Sequence, residues 1–448
     1  MKVVKFGGSS VANATQLRKV ADIVLDDPER KVVVVSAPGK RSSDDVKMTD
    51  LLIELAGKVI GNEDYDTALS AVMDRFREII QELELSEDLT ETIQKNIQYI
   101  ISSHESAEWT LDALKSCGED GSAQILSAYL QSKDVKAAYV NPKEAGIIVS
   151  DEPGQAQVLD ESLEQLYKLH EREGILVVPG FFGYSKEGRL VTFPRGGSDI
   201  TGSIVAAGVK ADLYENFTDV DSVYCVNPNI VSNPKQITSL TYKEMRELSY
   251  AGFSVFHDEA LIPAFKAKIP VCIKNTNNPQ APGTMIVAEN EAGYGRVTGI
   301  ASDKGFLTLY VSKYLMNREI GFGRRLLQIL EDENISFEHA PSGIDDMSVI
   351  LREEELYGEK EERILARIQE ELDVDMVNIE RNMAMVMLVG EGMNSTIGLA
   401  SQATRAFREA EVNIEMINQG SSEVSMMFGV DAEGMERVVQ YLYREFFE

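Results

Sequence analysis

A chain of 448 residues, 44% hydrophobic and 26% charged, is too long for one core and too apolar for disorder, so two or three globular domains are expected. Its formal net charge of −29 repels phosphodiester backbones and anionic lipid, which argues against nucleic-acid and membrane partners and requires a local basic patch for any anionic substrate. Three scattered cysteines, Cys117, Cys225 and Cys272, exclude a disulfide framework and a cysteine metal cluster and fit a reducing compartment.

The run Met1 to Phe6 meets Gly7-Gly8 before any signal-peptide apolar region can form, and no later stretch approaches the ~18 apolar residues of a membrane span. A soluble cytoplasmic protein is the expectation. Residues 2–6 and 31–36 are β-branched runs flanking apolar Leu17, Val20, Ala21, Val24 and Leu25, which predicts strand, helix (Ala14 to Leu25), strand. Residues 62–116 are acidic and helix-rich, an inserted helical subdomain. The alternation then resumes: helix Glu119 to Leu130, strand Val135 to Val140, helix Ser162 to Glu171, strand Ile175 to Pro179, a helix from Ser198, and strands Ala211 to Phe217, Val271 to Lys274 and Thr284 to Ala288. Such alternation predicts an α/β fold, a mostly parallel sheet sandwiched by helices.

The C-terminal third repeats itself. Residues 317–351 overlay residues 394–428 without a gap, Asn317, Ile320, Gly321, Glu338, Gly343 and Ser348 falling on Asn394, Ile397, Gly398, Glu415, Gly420 and Ser425. Each copy reads as turn, amphipathic helix, strand, glycine turn, strand and further helix, so two small βαββαβ units follow. Neither can bury both sheet faces alone, so they pack on each other or on a second chain.

Three clusters carry chemistry. Lys5-Phe6-Gly7-Gly8-Ser9-Ser10 follows the first strand; consecutive glycines there let amides approach a phosphate, although a plain tight turn reads equally well. Ser36-Ala37-Pro38-Gly39 with Thr49-Asp50 supplies hydroxyls and amides at a strand's carboxyl end. In Phe193-Pro194-Arg195-Gly196-Gly197-Ser198-Asp199, Arg195 can clamp a carboxylate. Asp199, in the first helical turn, either stabilises the helix N-terminus or orients Lys5. His257 reads as a surface or capping residue, and Met383 to Leu388 as core.

Together these clusters resemble the amino-acid kinase superfamily, and within it the aspartokinases, most closely the Bacillus-type lysine-sensitive isozyme III. The resemblance extends through Gly118-Glu119, Pro179-Gly180-Phe181, Thr218-Asp219-Val220, His257, Asn275-Thr276 and Gly283-Thr284. It implies an amino-acid kinase catalytic domain over 1–290, with 62–116 as its helical insertion, and a regulatory region over 297–448. That region would hold two ferredoxin-like ACT domains at about 306–383 and 384–448, the second completed by a strand at 297–303. It implies phosphorylation of the β-carboxylate of L-aspartate by ATP, the first step of lysine, threonine and methionine biosynthesis.

Carried over residue by residue, the resemblance makes Lys5 and Asp199 catalytic. It assigns ATP and phosphate to Lys5, Gly7, Gly8, Ser9, Thr218, Asp219 and Tyr224, and aspartate to Ser36, Thr49, Glu119, Phe181, Arg195 and Ser198. Mg²⁺ arrives on the ATP rather than in a protein metal site. The chain departs from the family at Cys225 to Asn229, where a charge pair is missing, and at Ser254, where a lysine is usual. Lys274 is the candidate substitute. The effector site implied for the first ACT copy comprises Met316, Gly321, Phe322, Gly323, Ser336, Phe337, Glu338, Ser342, Asp345 and Asp346. Its acid excess suggests lysine; Asn413, Gln419, Ser421 and Glu423 occupy comparable positions in the second copy and leave threonine open. The assembly implied is a homodimer through ACT domains, or a tetramer.

Ionised at neutral pH, the aspartate side chain, of pKa ~3.9, needs no catalytic base. Two alternatives stand beside this reading: a sister kinase acting on another acid, and a non-catalytic amino-acid sensor.

Overall fold

The computed structural model describes residues 1–103, 105–253, 258–289, 297–420 and 424–448. They form two compact units, Met1–Val223 with Gln236–Arg246 and Ser254–Glu291, and Tyr224–Lys235 with Glu247–Phe253 and Ala292–Glu448. Among the described residues no helix is long and apolar enough to cross a membrane.

The strands of the first unit are β1 (Lys2–Phe6), β2 (Arg30–Val35), β3 (Ala137–Tyr139), β4 (Ile175–Pro179), β5 (Phe182–Tyr184), β6 (Leu190–Thr192), β7 (Leu213–Thr218), β8 (Ser239–Thr241), β9 (Val271–Asn275) and β10 (Thr284–Val287). Among the described residues, eight of them make one sheet in the order β3-β4-β2-β1-β7-β9-β10-β8. Every pairing is parallel except β9 with β10. The predicted, mostly parallel α/β sheet is therefore present.

Helices cover both faces. Val4 and Phe6 join one core with α1 (Ala14–Asp26), α2 (Met48–Ile60), α3 (Asp66–Glu82) and α5 (Ala107–Gln131), while α4 (Asp88–Ser102) adds Ile93 and Ile97. After the short α6 (Pro142–Ala145) and α7 (Glu161–Tyr167), the opposite face is packed by α8 (Gly197–Gly208). Strand periodicity thus turns Lys5 away from Val4 and Phe6, toward α8. Two further helices, α9 (Tyr242–Tyr250) and α10 (Ile262–Ala267), follow.

The helix expected at Glu119 begins earlier, at Ala107, and runs unbroken to Gln131. Its small residues hide its length from a periodicity reading because it is buried on several sides. A Cβ on Gly118 would stand 2.6 Å from the Ala37 Cβ, and one on Gly121 2.6 Å from the Phe76 ring. Helical residues of the acidic insertion and the site-bearing Glu119 therefore share one rod.

In the second unit β11 (Gly299–Ser312), β12 (Asp346–Arg352), β13 (Met376–Val389), β14 (Met416–Asn418) and β15 (Ser425–Asp431) form an antiparallel sheet ordered β12-β11-β13-β15-β14. The helices α11 (Phe322–Asp332) and α13 (Leu399–Glu409) occupy equivalent places in the repeat, as do α12 (Gly358–Leu372) and α14 (Met435–Phe447). Both α11 and α13 are entered through a left-handed glycine, Gly321 at φ 83° and Gly398 at φ 88°. The long strands β11 and β13 each run through both copies, so the two repeats share one sheet. The first copy has isolated bridges at His339 and Ser342 instead of the strand expected near Ile335.

Beneath the parallel sheet, Arg30 of β2 grips Glu215 of β7 in a fork, Nε to Oε2 at 2.6 Å and Nη2 to Oε1 at 3.0 Å, with both side chains buried. Removing one partner strands a buried charge. Glu215→Ala is expected to lower the stability of the first unit by about 3–5 kcal/mol, read as a lower urea midpoint of Trp109 fluorescence, since Trp109 is the chain's single tryptophan. An unchanged midpoint would assign the pair no structural role.

Candidate active site

The carboxyl ends of β1, β2, β4, β7 and β9 converge on one edge of the sheet, the edge where open parallel sheets bind ligands. Lys5 is the penultimate residue of β1 and is 6% exposed. Its Nζ lies 2.6 Å from Asp199 Oδ1 in the first turn of α8. Asn216, directly beside Lys5 in the β1–β7 register, donates from Nδ2 to the same carboxylate oxygen at 2.7 Å. Asp199 thus stands both in the first turn of α8 and against the Lys5 ammonium.

Beyond Phe6 the chain enters the turn Gly8–Val11. The Gly7 amide is engaged by the Phe217 carbonyl at 3.1 Å, which leaves the amides of Gly8 and Ser9 at the open end of that turn. The second loop lies against it: Gly39 N donates to Gly8 O at 2.8 Å, and a Cβ on Gly39 would fall 2.6 Å from the Gly8 carbonyl carbon. Ser36 is anchored by its amide to the Phe6 carbonyl at 3.1 Å. Thr49 opens α2, whose Met48 amide bonds Pro38 O at 3.1 Å.

A second constellation surrounds Glu119. Its side chain is 6% exposed, Ser198 Oγ stands 3.5 Å from Oε1, and Oε2 has no hydrogen-bond partner among the described residues. Burial pushes its pKa up to about 8, against the backbone hydrogen bond from Ala37. Phe181 is held with a left-handed backbone, φ 76°, by its amide bond to Thr201 Oγ1 and its carbonyl bond to the Phe193 amide. Only a glycine fits opposite it, because a Cβ on Gly197 would come 2.6 Å from the ring. Arg195, in the turn before α8, is exposed and has no ion-pair partner among the described residues.

Sequence reasoning overlooked four contributors. Asn216 is a buried amide next to the buried Glu215 in the strand read at Ala211 to Phe217. Asp112, 2% exposed, accepts from the Gly154 and Thr192 amides at 2.8 Å each and so fixes the strand leading to Arg195. Lys115 sits 3.2 Å from Asp112 and 5.6 Å from the Phe181 ring centroid. The fourth, Arg75, lies in the insertion and reaches the loop that carries Gly39.

Thr218 Oγ1 and Asp219 Oδ1 are 3.2 Å apart at the end of β7, and Lys274 lies in β9. Tyr224 falls in the second unit. Ser254, His257, Ser421 and Glu423 lie outside the described residues.

In the second unit the turn before α11 is pinned to the turn before β12. Leu315 N donates to Asp345 Oδ1 at 2.8 Å, and Asn317 N to Ile344 O at 3.1 Å. Met316 lies between these two anchored residues, a Cβ on Gly323 would meet the Met347 side chain, and Ser342 is bridged to Met347. Ser336 and Phe337 are exposed. Glu338 is engaged by Arg352 Nε at 3.1 Å and by the Tyr250 hydroxyl, and Arg352 continues to Asp303 at 2.7 Å.

A family described as Amino acid kinase family matches residues 1–275, and an ACT domain family matches residues 386–446. Aspartokinase 3 of Bacillus subtilis is 56% identical over 448 residues, covering 100% of this chain and 99% of that protein. The crystal structure of Clostridium acetobutylicum aspartate kinase superposes with TM-score 0.90 at 39% identity, covering 100% of both chains. Escherichia coli aspartokinase III superposes with TM-score 0.79 at 26% identity, again over 100% of both chains, in an R-state complex with aspartate and ADP and in a T-state complex with lysine and aspartate.

The raised pKa of Glu119 makes stability depend on pH. A carboxyl raised from 4.5 to about 8 on folding binds its proton more tightly in the native state. Its contribution to stability is therefore fully present below pH 4.5 and is lost as pH rises through about 8. Ligand-free Glu119→Gln, compared with the parent chain by urea unfolding across that range, is expected to lose less stability toward alkaline pH. Parallel profiles would show that Glu119 is not neutralised by burial.

Proposed function

The chain belongs to the aspartokinases of the amino acid kinase family, which phosphorylate the β-carboxylate of L-aspartate to 4-phospho-L-aspartate, and from that premise we propose which of its residues bind, orient and stabilise the reacting groups. The observation that carries the proposal is the 2.6 Å contact between Lys5 and Asp199 two residues before Gly7-Gly8. A carboxylate attacking a triphosphate brings two anions together, so the enzyme must offset their repulsion and align them.

Lys5 supplies the charge. Asp199 and Asn216 hold its ammonium on the α8 side of β1, so that no reorganisation is needed when negative charge shifts on the transferring phosphoryl group. Gly8 and Ser9 offer amides to the phosphate, and Gly7 keeps the space beside the ammonium free of a side chain. Thr218 and Asp219 flank the nucleotide. Mg²⁺ bound to ATP would neutralise phosphate oxygens; the fit lies in a chain that offers a glycine turn and a lysine for the remaining charge.

Aspartate is read by opposite charges at its two ends. Arg195, exposed and free of an ion pair among the described residues, is suited to a carboxylate. Glu119 takes the α-ammonium: its orphaned buried oxygen lacks the cation that would restore its ionised form. Ser36, Thr49, Phe181 and Ser198 complete the pocket. Binding should thus expel a proton from Glu119 near neutral pH.

Feedback is assigned to the second unit, with a lysine-like effector held by the turns at Met316 to Gly323 and Ser342 to Asp346. Since Glu338 is already paired with Arg352, Asp345 and Asp346 are the acids better placed for an effector ammonium. A homodimer through the ACT domains, or a tetramer, and a cytoplasmic location complete the proposal.

ATP-dependent hydroxamate formation with aspartate, with glutamate and without acceptor tests the activity itself; product with aspartate alone is expected. Lys5→Ala should lower turnover at least ~10²-fold while the fold survives, and parent-like turnover would remove Lys5 from the mechanism. Arg195→Ala should instead raise the aspartate KM by about tenfold or more, leaving the ATP KM unchanged. An effect confined to ATP would reassign that arginine.

A further inference from the structure

Two arginines are buried among the described residues, and one of them, Arg75, belongs to the helical insertion, which lends no side chain to the ligand pockets assigned above. Only 4% exposed on α3, its guanidinium makes three bonds to the loop between β2 and α2. Nη2 donates to Gly39 O at 2.5 Å, while Nη1 donates to Val46 O at 3.1 Å and to Asp45 Oδ2 at 2.9 Å. Residues 38–47 form no helix or strand, so no regular ladder holds them. One rigid fork on a packed helix instead grips both ends of the loop. Asp45 is filled from its other side by Arg41, whose amide and guanidinium donate to it at 2.8 to 2.9 Å.

Gly39 transmits the grip. It is hydrogen-bonded to Gly8 and packed so closely that it cannot shift toward the phosphate turn without moving it. A charged group is an expensive way merely to fasten a helix. Arg75 Nε is buried without a partner among the described residues, and a methionine of similar volume would pack there without that desolvation. The cation makes sense where a defined loop geometry is required.

We propose that Arg75 is a positioning residue for the nucleotide, holding Gly39 and through it the Gly8 amide in place for the transferred phosphate. This rests on the reading of Gly8 and Ser9 as the phosphate cradle. The insertion thereby gains a role, since α3, locked into the core by Val72, Phe76 and Ile79, is the strut from which the loop is set. Glu119 and Ser198 are carried by other helices, while Thr49 follows the gripped loop in the first turn of α2, so the aspartate pocket should feel a change at Arg75 less than the phosphate turn does.

Steady-state kinetics of the full chain test this. Arg75→Met, which keeps the apolar stem and removes all three bonds, is expected to raise the ATP KM about tenfold and the aspartate KM distinctly less. Arg75→Lys, which keeps the charge but cannot span both loop ends, should restore part of the loss. Arg77→Met, an exposed change on the same helix, should do nothing. Equal changes in both KM values, or a lowered melting temperature with parent-like kinetics, would overturn the proposal. Gly8→Ala separates the two layers: if it leaves the ATP KM unchanged the cradle reading fails, and if it raises that KM while Arg75→Met does not, only the positioning role fails. Should Arg75→Met not fold, the same comparison is made with Arg75→Lys, for which an unchanged ATP KM overturns the proposal.

Discussion

A lysine ammonium inside a buried parallel strand is tolerable only if an anion and hydrogen-bond acceptors meet it there, and the first unit is built around that requirement. Lys5 occupies a position where Val3 and Val4 show that the sheet wants apolar side chains. Its partner comes from a different element, at the N-terminal turn of α8, where an acidic side chain is also favoured by the helix dipole. Asn216 reaches the same carboxylate oxygen from the neighbouring strand. Three elements distant in sequence thus fix one cation at the sheet's edge, beside a turn whose glycines keep side chains away from it.

The remaining costs of the site follow the same logic. Glu119 is buried with one oxygen orphaned, Phe181 adopts a backbone that aromatic residues avoid, and Arg75 carries a charge in the interior. Each would be replaced by a less costly residue if stability alone mattered. Their common feature is that each prepares a geometry or a charge that a ligand would complete. Conversely, the Arg30–Glu215 fork is fully paired and needs no ligand, which marks it as structural.

The second unit solves a different problem. Two copies of a small motif share one sheet because β11 and β13 are long enough to run through both. Each copy enters its first helix through a left-handed glycine, and the residue before it, Ile320 or Ile397, is fully exposed. In the first copy the acids divide: Asp345 accepts a backbone amide at the turn, while Glu338 is drawn into a chain of contacts with Arg352, Tyr250 and Asp303. Two acidic groups that look alike in sequence therefore have different freedom to meet a ligand.

Much was legible without coordinates. The alternation of β-branched runs with amphipathic segments determined the parallel sheet, since periods of 2 and 3.6 follow from local backbone geometry, and the gapless overlay revealed the doubled motif. The glycine turn and the cluster before α8 singled out Lys5, Gly8 and Asp199 because close phosphate approach and charge recognition demand particular residue types, whereas Glu119 and Ser198 were implied by the family resemblance. What sequence could not supply were pairings between distant segments: Asn216 beside Lys5, Asp112 beneath the loop before Arg195, Arg75 on Gly39, and Arg352 on Glu338. Local propensity carries no term for such contacts, because they exist only once packing has brought separate elements within hydrogen-bond reach. The length of α5 was hidden for the same reason, its glycines being required by neighbours rather than by its own helix.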